Sequence, residues 1–206
     1  MWDEDAAMAM KRFRKKDFSE FKPDARTATW FKTVRLTRLQ QQRLLKWSLY
    51  ALTIILGLVI QDVIMSQFRF FGATTDLAVC IILLITVLEG TETGSIFVLI
   101  ASVLYYFSGT APGAYSIGLL CALGILAVML RQMYLHRSKG SILMCAATAV
   151  MGYELGLFVV GILTELTLWV RLPSFLLTGI YSSLLLIPLY PLIHRIGLIG
   201  GNTWKE

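Results

Sequence analysis

The sequence predicts an all-α polytopic membrane protein with six transmembrane helices. Three observations carry that expectation. Of the 206 residues, 56% are hydrophobic and only 16% are charged, against about 25% charged in soluble domains. Several apolar stretches approach or exceed the roughly 18 residues that cross a bilayer core. The basic residues fall almost entirely on one side of a six-span layout.

Residues 1–45 read as a basic N-terminal cytoplasmic arm. Of the 19 Lys and Arg, 12 lie in residues 1–46. The run KRFRKKDFSEFK interleaves bases with Phe13, Phe18 and Phe21, a mixture that suits an anionic lipid surface at about 1 kcal/mol per base. A topogenic tail that only sets orientation would read the same way. Nucleic-acid binding is disfavoured, because the arm is tethered to a membrane and carries six acids of its own. The arm is too long and too polar for the front of a cleaved signal peptide.

A six-helix membrane domain is expected over residues 46–200, followed by a cytoplasmic tail, 201–206. The spans are read at 47–65, 71–88, 93–107, 114–129, 141–163 and 173–193. The third and fourth are short, which implies tilt or local thinning. With both termini inside, the inner segments hold 17 bases and the outer loops two, Arg69 and Arg171, as the positive-inside rule requires. Fusing the third and fourth spans would put the basic 131–140 loop outside. A tight turn is therefore expected at Ser108-Gly109-Thr110-Ala111-Pro112-Gly113. Gly109 can close a helix in the left-handed region, and Pro112 cannot sit in a helix interior without loss of a hydrogen bond.

Catalytic signatures are missing. No H-E-x-x-H, G-x-S-x-G or Walker A motif occurs, and Tyr106 replaces the glycine that a rhomboid-type G-x-S-G would need before Ser108. His136 and His194 stand alone in inner segments. Cys80, Cys121 and Cys145 sit in apolar runs without a C-x-x-C pair, as small packing residues do. No enzyme activity, cofactor or metal is predicted.

Glu154 is the outlier. It lies in the middle of the fifth span, where a charge costs on the order of 3 kcal/mol or more. Tyr181, Ser182 and Ser183 of the sixth span reach a similar depth by residue count. They are candidate partners in an interhelical clamp; a ligand or protein-partner site is the other reading. Gly152 and Gly156 flank Glu154 at G-x-x-x-G spacing, which permits close helix approach. Gly152, Glu154, Gly156 and Tyr181 thus form a candidate partner or packing face. Gly90 and Gly94 make a second such pair at a membrane edge. Asp62 and Asp76 read as interfacial anchors, and Pro188 and Pro191 as kinks in the sixth helix.

From Gln61 to Gly197 the chain resembles the MreD family, the rod shape-determining membrane proteins of bacterial cell-wall elongation. Gln61 matches an early Gln of the first span, and Thr75-Asp76-Leu77 the opening of the second. Ser108, Gly109 and Gly113 match the family's turn, and Tyr190-Pro191 its closing Tyr-Pro. The chain departs from the family at Tyr105, where an Asp is usual, and at Ala101, where a Gly is usual; the turn proline is displaced to Pro112. The resemblance implies a fold similar to the S component of energy-coupling-factor transporters. It implies a non-enzymatic scaffold in the bacterial cytoplasmic membrane that binds MreC and, through it, meets RodA, the elongation transpeptidase and MreB. The alternative is a vitamin-transporter S component. Against it, Ile55 stands where the Ala-x-x-x-Ala docking motif starting at Ala51 would need alanine, and polar groups for a pocket are sparse in the outer loops.

Overall fold

The computed structural model describes residues 38–65, 67, 74–134 and 139–199. The arm before residue 38, Arg69, the loop 135–138 with His136 and Arg137, and the tail from residue 200 lie outside the described residues. The chain divides into two units, 1–41 and 42–206. The second holds the helical bundle.

Every element among the described residues is helical. Helix α1 (Arg38–Ile60) runs into a π-helical turn at Gln61–Met65. Then come α2 (Leu77–Glu89), α3 (Thr91–Phe107), α4 (Tyr115–Tyr134) and α5 (Lys139–Leu163). A short 3₁₀ turn, Trp169–Arg171, leads into α6 (Leu172–Gly197). Four helical segments are long and apolar enough to cross a membrane: Gln40–Ile64, Tyr115–Met133, Lys139–Leu163 and Trp169–Gly197. Helices α2 and α3 are apolar but shorter, 13 and 17 residues.

The helices alternate in direction. The start of α1 meets the end of α2 through Lys46 and Glu89, and the end of α1 meets the start of α2 through Gln61 and Asp76. Gly94 faces Thr86 across the α2–α3 turn; its Cα approaches so closely that an added Cβ would stand 2.5 Å from the Thr86 carbonyl oxygen. Gly109 ends α3 at φ +76°, the left-handed conformation that the expected turn needs. The hydroxyl of Ser108 bonds back to the Tyr105 carbonyl at 2.7 Å and meets the Thr110 hydroxyl at 2.7 Å. Arg131 of α4 donates to the Val87 carbonyl near the end of α2.

Helix α2 is the axis of the bundle. All its residues but Leu88 are buried, and it packs on α3, α4, α5 and α6. A run that is apolar all round is what a helix surrounded by protein requires. This second span begins at Leu77 rather than near residue 71, because residues 74–76 have non-helical backbone. Helix α1 is the opposite case. It buries a single stripe, Lys46, Tyr50, Ile54 and Gly57, spaced as one face of a helix, and leaves Leu52, Ile55, Leu56 and Val59 more than half exposed. Helix α6 continues through Pro188 and Pro191.

Candidate functional site

The short α2 creates the main feature of the molecule. The Asp76 backbone N–H, at its start, donates to the Ser182 hydroxyl at 2.9 Å. Ser182 lies ten residues into α6, about 15 Å along that helix at 1.5 Å per residue. The axial helix therefore begins well below the ends of its neighbours. Above it the bundle is hollow, with a cavity of about 540 Å³.

The floor of this cavity is a polar network. Asp76 accepts from the Gln61 amide at 2.8 Å and from the Tyr105 hydroxyl at 2.9 Å. The Gln61 side-chain oxygen in turn accepts the Ala78 N–H at 2.7 Å, one of the donors a helix N-terminus leaves free. Asp76 is thus the hub that joins α1, α2 and α3, where the sequence suggests an interfacial anchor. Cys80 adds a thiol contact to the Ser182 carbonyl at 3.1 Å.

The walls come from α5 and α6. Glu154 reaches the cavity, together with Leu157, Ser174, Phe175 and Thr178. Thr110 and Pro112 of the α3–α4 turn close one side, and Arg171 lines another. Glu154 is only 4% exposed. Among the described residues it forms no hydrogen bond and no ion pair. The clamp expected from Tyr181, Ser182 or Ser183 is absent. The Ser182 hydroxyl receives the Asp76 N–H, the Ser183 hydroxyl bonds the Gly179 carbonyl in its own helix, and Tyr181 has no hydrogen bond to a described residue. The α6 residue beside Glu154 is Gly179, about one turn before Ser182: a Cβ there would lie 3.6 Å from Glu154 Cγ.

Gly152 and Gly156 face α4. Added Cβ atoms would meet Leu123 at 3.2 Å and Leu119 at 2.6 Å respectively. Gly156 is therefore occupied by packing within the bundle, while Gly152 also borders an apolar groove of about 350 Å³ between α4 and α5.

At the opposite end sits a second polar group that the sequence does not announce. Lys46 Nζ lies 2.6 Å from Glu89 Oε1 and 2.8 Å from Oε2, and the Tyr50 hydroxyl donates to Oε1 at 2.6 Å. All three are buried. Trp47 and Phe97 pack their rings around Tyr50 at 5.9 and 6.1 Å. Between the two polar ends, α1 and α3 diverge into an apolar groove of about 320 Å³, with Ala51, Ile54, Ile100 and Ala101 in its walls.

Among the described residues, no group of three His, Cys, Asp or Glu could hold a metal ion. No protein-family model matches the chain, nor does any curated protein or solved structure. Of the residues that the sequence singles out for a site or a turn, Glu154, Thr110 and Pro112 meet at one cavity. Asp76 and Gln61 stand out in the sequence on other grounds. Lys46, Glu89 and Arg171 do not stand out as site residues. The only signals for the first two are that Lys46 is the last base before the first span and that Glu89 is the acid at the α2–α3 turn.

Proposed function

We propose that the chain is a non-enzymatic membrane scaffold of bacterial cell-wall elongation, of the MreD kind it resembles, with a transmembrane helix of MreC as its partner. Contacts to RodA, the elongation transpeptidase and MreB follow through MreC. All six helices cross the cytoplasmic membrane, with both termini inside. Helix α2 is short, but protein surrounds it, so its polar ends need not reach either lipid face.

The observation that carries this reading is the groove between α1 and α3. Helix α1 is held to α2 by polar contacts at Lys46, Tyr50 and Gln61, and between them it leaves an apolar groove against α3. Ala51 and Ala101 in the groove let a partner backbone approach, which is how helices associate in lipid. Ala101 occupies the position where the resembled family carries glycine. Gln61 and Asp76, two residues on which the resemblance rests, are hydrogen-bonded to each other.

Co-purification of MreC tests the proposal. Ala51→Phe fills the groove, while Leu52→Phe adds the same bulk on a face that does not line it. MreC is expected with the parent and with Leu52→Phe, and is lost with Ala51→Phe. Retention in both variants rejects the groove. Absence of MreC with the parent rejects the scaffold.

The cavity above α2 favours a second reading, a transporter S component, since it gathers the polar groups that are sparse in the outer loops. That reading requires co-purification with energising subunits and no MreC.

A further inference from the structure

The structure assigns the cavity above α2 as a binding site for a small zwitterion, with a protonated nitrogen held by Glu154 and an anionic group held by Arg171. This goes beyond the scaffold reading and does not depend on MreC.

Two ionisable side chains of opposite sign on the cavity lining decide it. Glu154 is 4% exposed and borders the cavity, yet no described residue bonds it. An ionisable side chain at membrane depth that faces a cavity marks a ligand or ion site by default. Arg171 borders the same cavity, and its guanidinium makes no ion pair or hydrogen bond with a described residue. Arg171 is exposed and Glu154 is buried, so the positive group lies toward solvent and the acid lies deep. An incoming molecule matches this order with its cationic end inward.

The remaining lining fits that molecule. Asp76 places a second carboxylate at the floor, already satisfied by Gln61 and Tyr105. It reinforces the attraction for a cation, while Glu154 is the acid of the lining that no described residue bonds. Phe175 supplies an aromatic surface, against which a cation also gains. Ser174 and Thr178 supply hydroxyls that can donate or accept. At about 540 Å³ the cavity falls within the range that holds small molecules.

The test uses the purified full chain in detergent, without MreC. The separation of the two charges in a bound ligand is spanned by a series of probes: 4-aminobutyrate, 6-aminohexanoate and 8-aminooctanoate. Pentylamine and hexanoate provide the single charges. At least one amino acid of the series is expected to raise Tm by roughly 2–4 °C at saturation, more than either single-charge probe does. Glu154→Gln abolishes the rise, and Arg171→Ala reduces it to that of pentylamine. The control Glu165→Gln, on the α5–α6 loop outside the cavity lining, keeps the full rise. No response to any of the three, an equal response to pentylamine or hexanoate, or an undiminished response in Glu154→Gln overturns the assignment. The MreC co-purification can fail without changing this result, and the reverse also holds.

Discussion

Lys46 and Glu89, 43 positions apart, form a two-point ion pair with both side chains at most 6% exposed. Tyr50 makes the arrangement a three-residue clamp between α1 and α2. A buried pair of this kind gains little over an apolar replacement, but breaking it leaves a stranded charge at about 3–5 kcal/mol. Lys46→Met and Glu89→Gln singly are therefore expected to lower detergent stability strongly. The double variant is expected to recover much of the loss, because the amide introduced at position 89 can still accept from Tyr50. Thermal scans of the four proteins form the cycle. Additive losses in the double variant would mean that the two charges are not coupled.

Three residues that read as unrelated in the sequence meet at the other end. The Asp76 carboxylate holds Gln61 and Tyr105 at 2.8 and 2.9 Å. Tyr105→Phe and Asp76→Asn are each expected to destabilise, with a coupling of about 0.6–2 kcal/mol between them, the range for hydrogen bonds between membrane helices. A cycle with no coupling would show that Tyr105 serves only as packing.

How far this was legible follows from range. The turn at residues 108–113 was readable because Gly109 and Pro112 impose local backbone limits, and the charge pattern demanded a reversal there. The six helical segments were readable from apolar run length. Glu154 stood out because a lone acid in an apolar run is anomalous whatever surrounds it. Its surroundings were not readable. Counting residues along α5 and α6 put Ser182 at the depth of Glu154, but it could not show that a recessed α2 would take the Ser182 hydroxyl for the Asp76 N–H. The apolar run places the start of the second span near residue 71, whereas the helix begins at Leu77, where Gln61 accepts the Ala78 N–H and Ser182 the Asp76 N–H. The Lys46–Glu89 pair depends on how α1 leans on α2, which no local pattern records.

Gly94 of α3 and Gly118 of α4 differ in a way that stability can read. A Cβ at Gly94 would stand 2.5 Å from a backbone oxygen, whereas one at Gly118 would meet nothing within 4 Å. Gly94→Ala is expected to cost about 1–3 kcal/mol, because backbone must move. Gly118→Ala is expected to gain up to about 1 kcal/mol from helix propensity. Equal effects at the two positions would mean that α2 and α3 are not packed this closely.

The topology rests on the alternation of helices and the distribution of bases. Single cysteines at Ala114 and Gly140, both exposed, report on opposite ends of α4 and α5. The background carries Cys80→Ser, Cys121→Ala and Cys145→Ala. In intact cells a membrane-impermeant maleimide is expected to label position 114 and to reach position 140 only after permeabilisation. Labelling of 140 in intact cells would overturn the proposed six-span arrangement with both termini inside.

Glu154 gives the prediction that separates function from stability. In the free protein Glu154 is 4% exposed and borders the cavity, and no described residue bonds it. Leucine has a similar size and carries no polar group to desolvate. Glu154→Leu is therefore expected to stabilise the free protein, seen as a higher Tm, because an ionisable side chain at membrane depth is costly to keep. Residues kept for binding show this trade against stability. The same variant should show no thermal response to the ω-amino acid series. A fall in Tm without ligand would mean that Glu154 contributes to holding the bundle together, and that its carboxyl has a partner in the free protein.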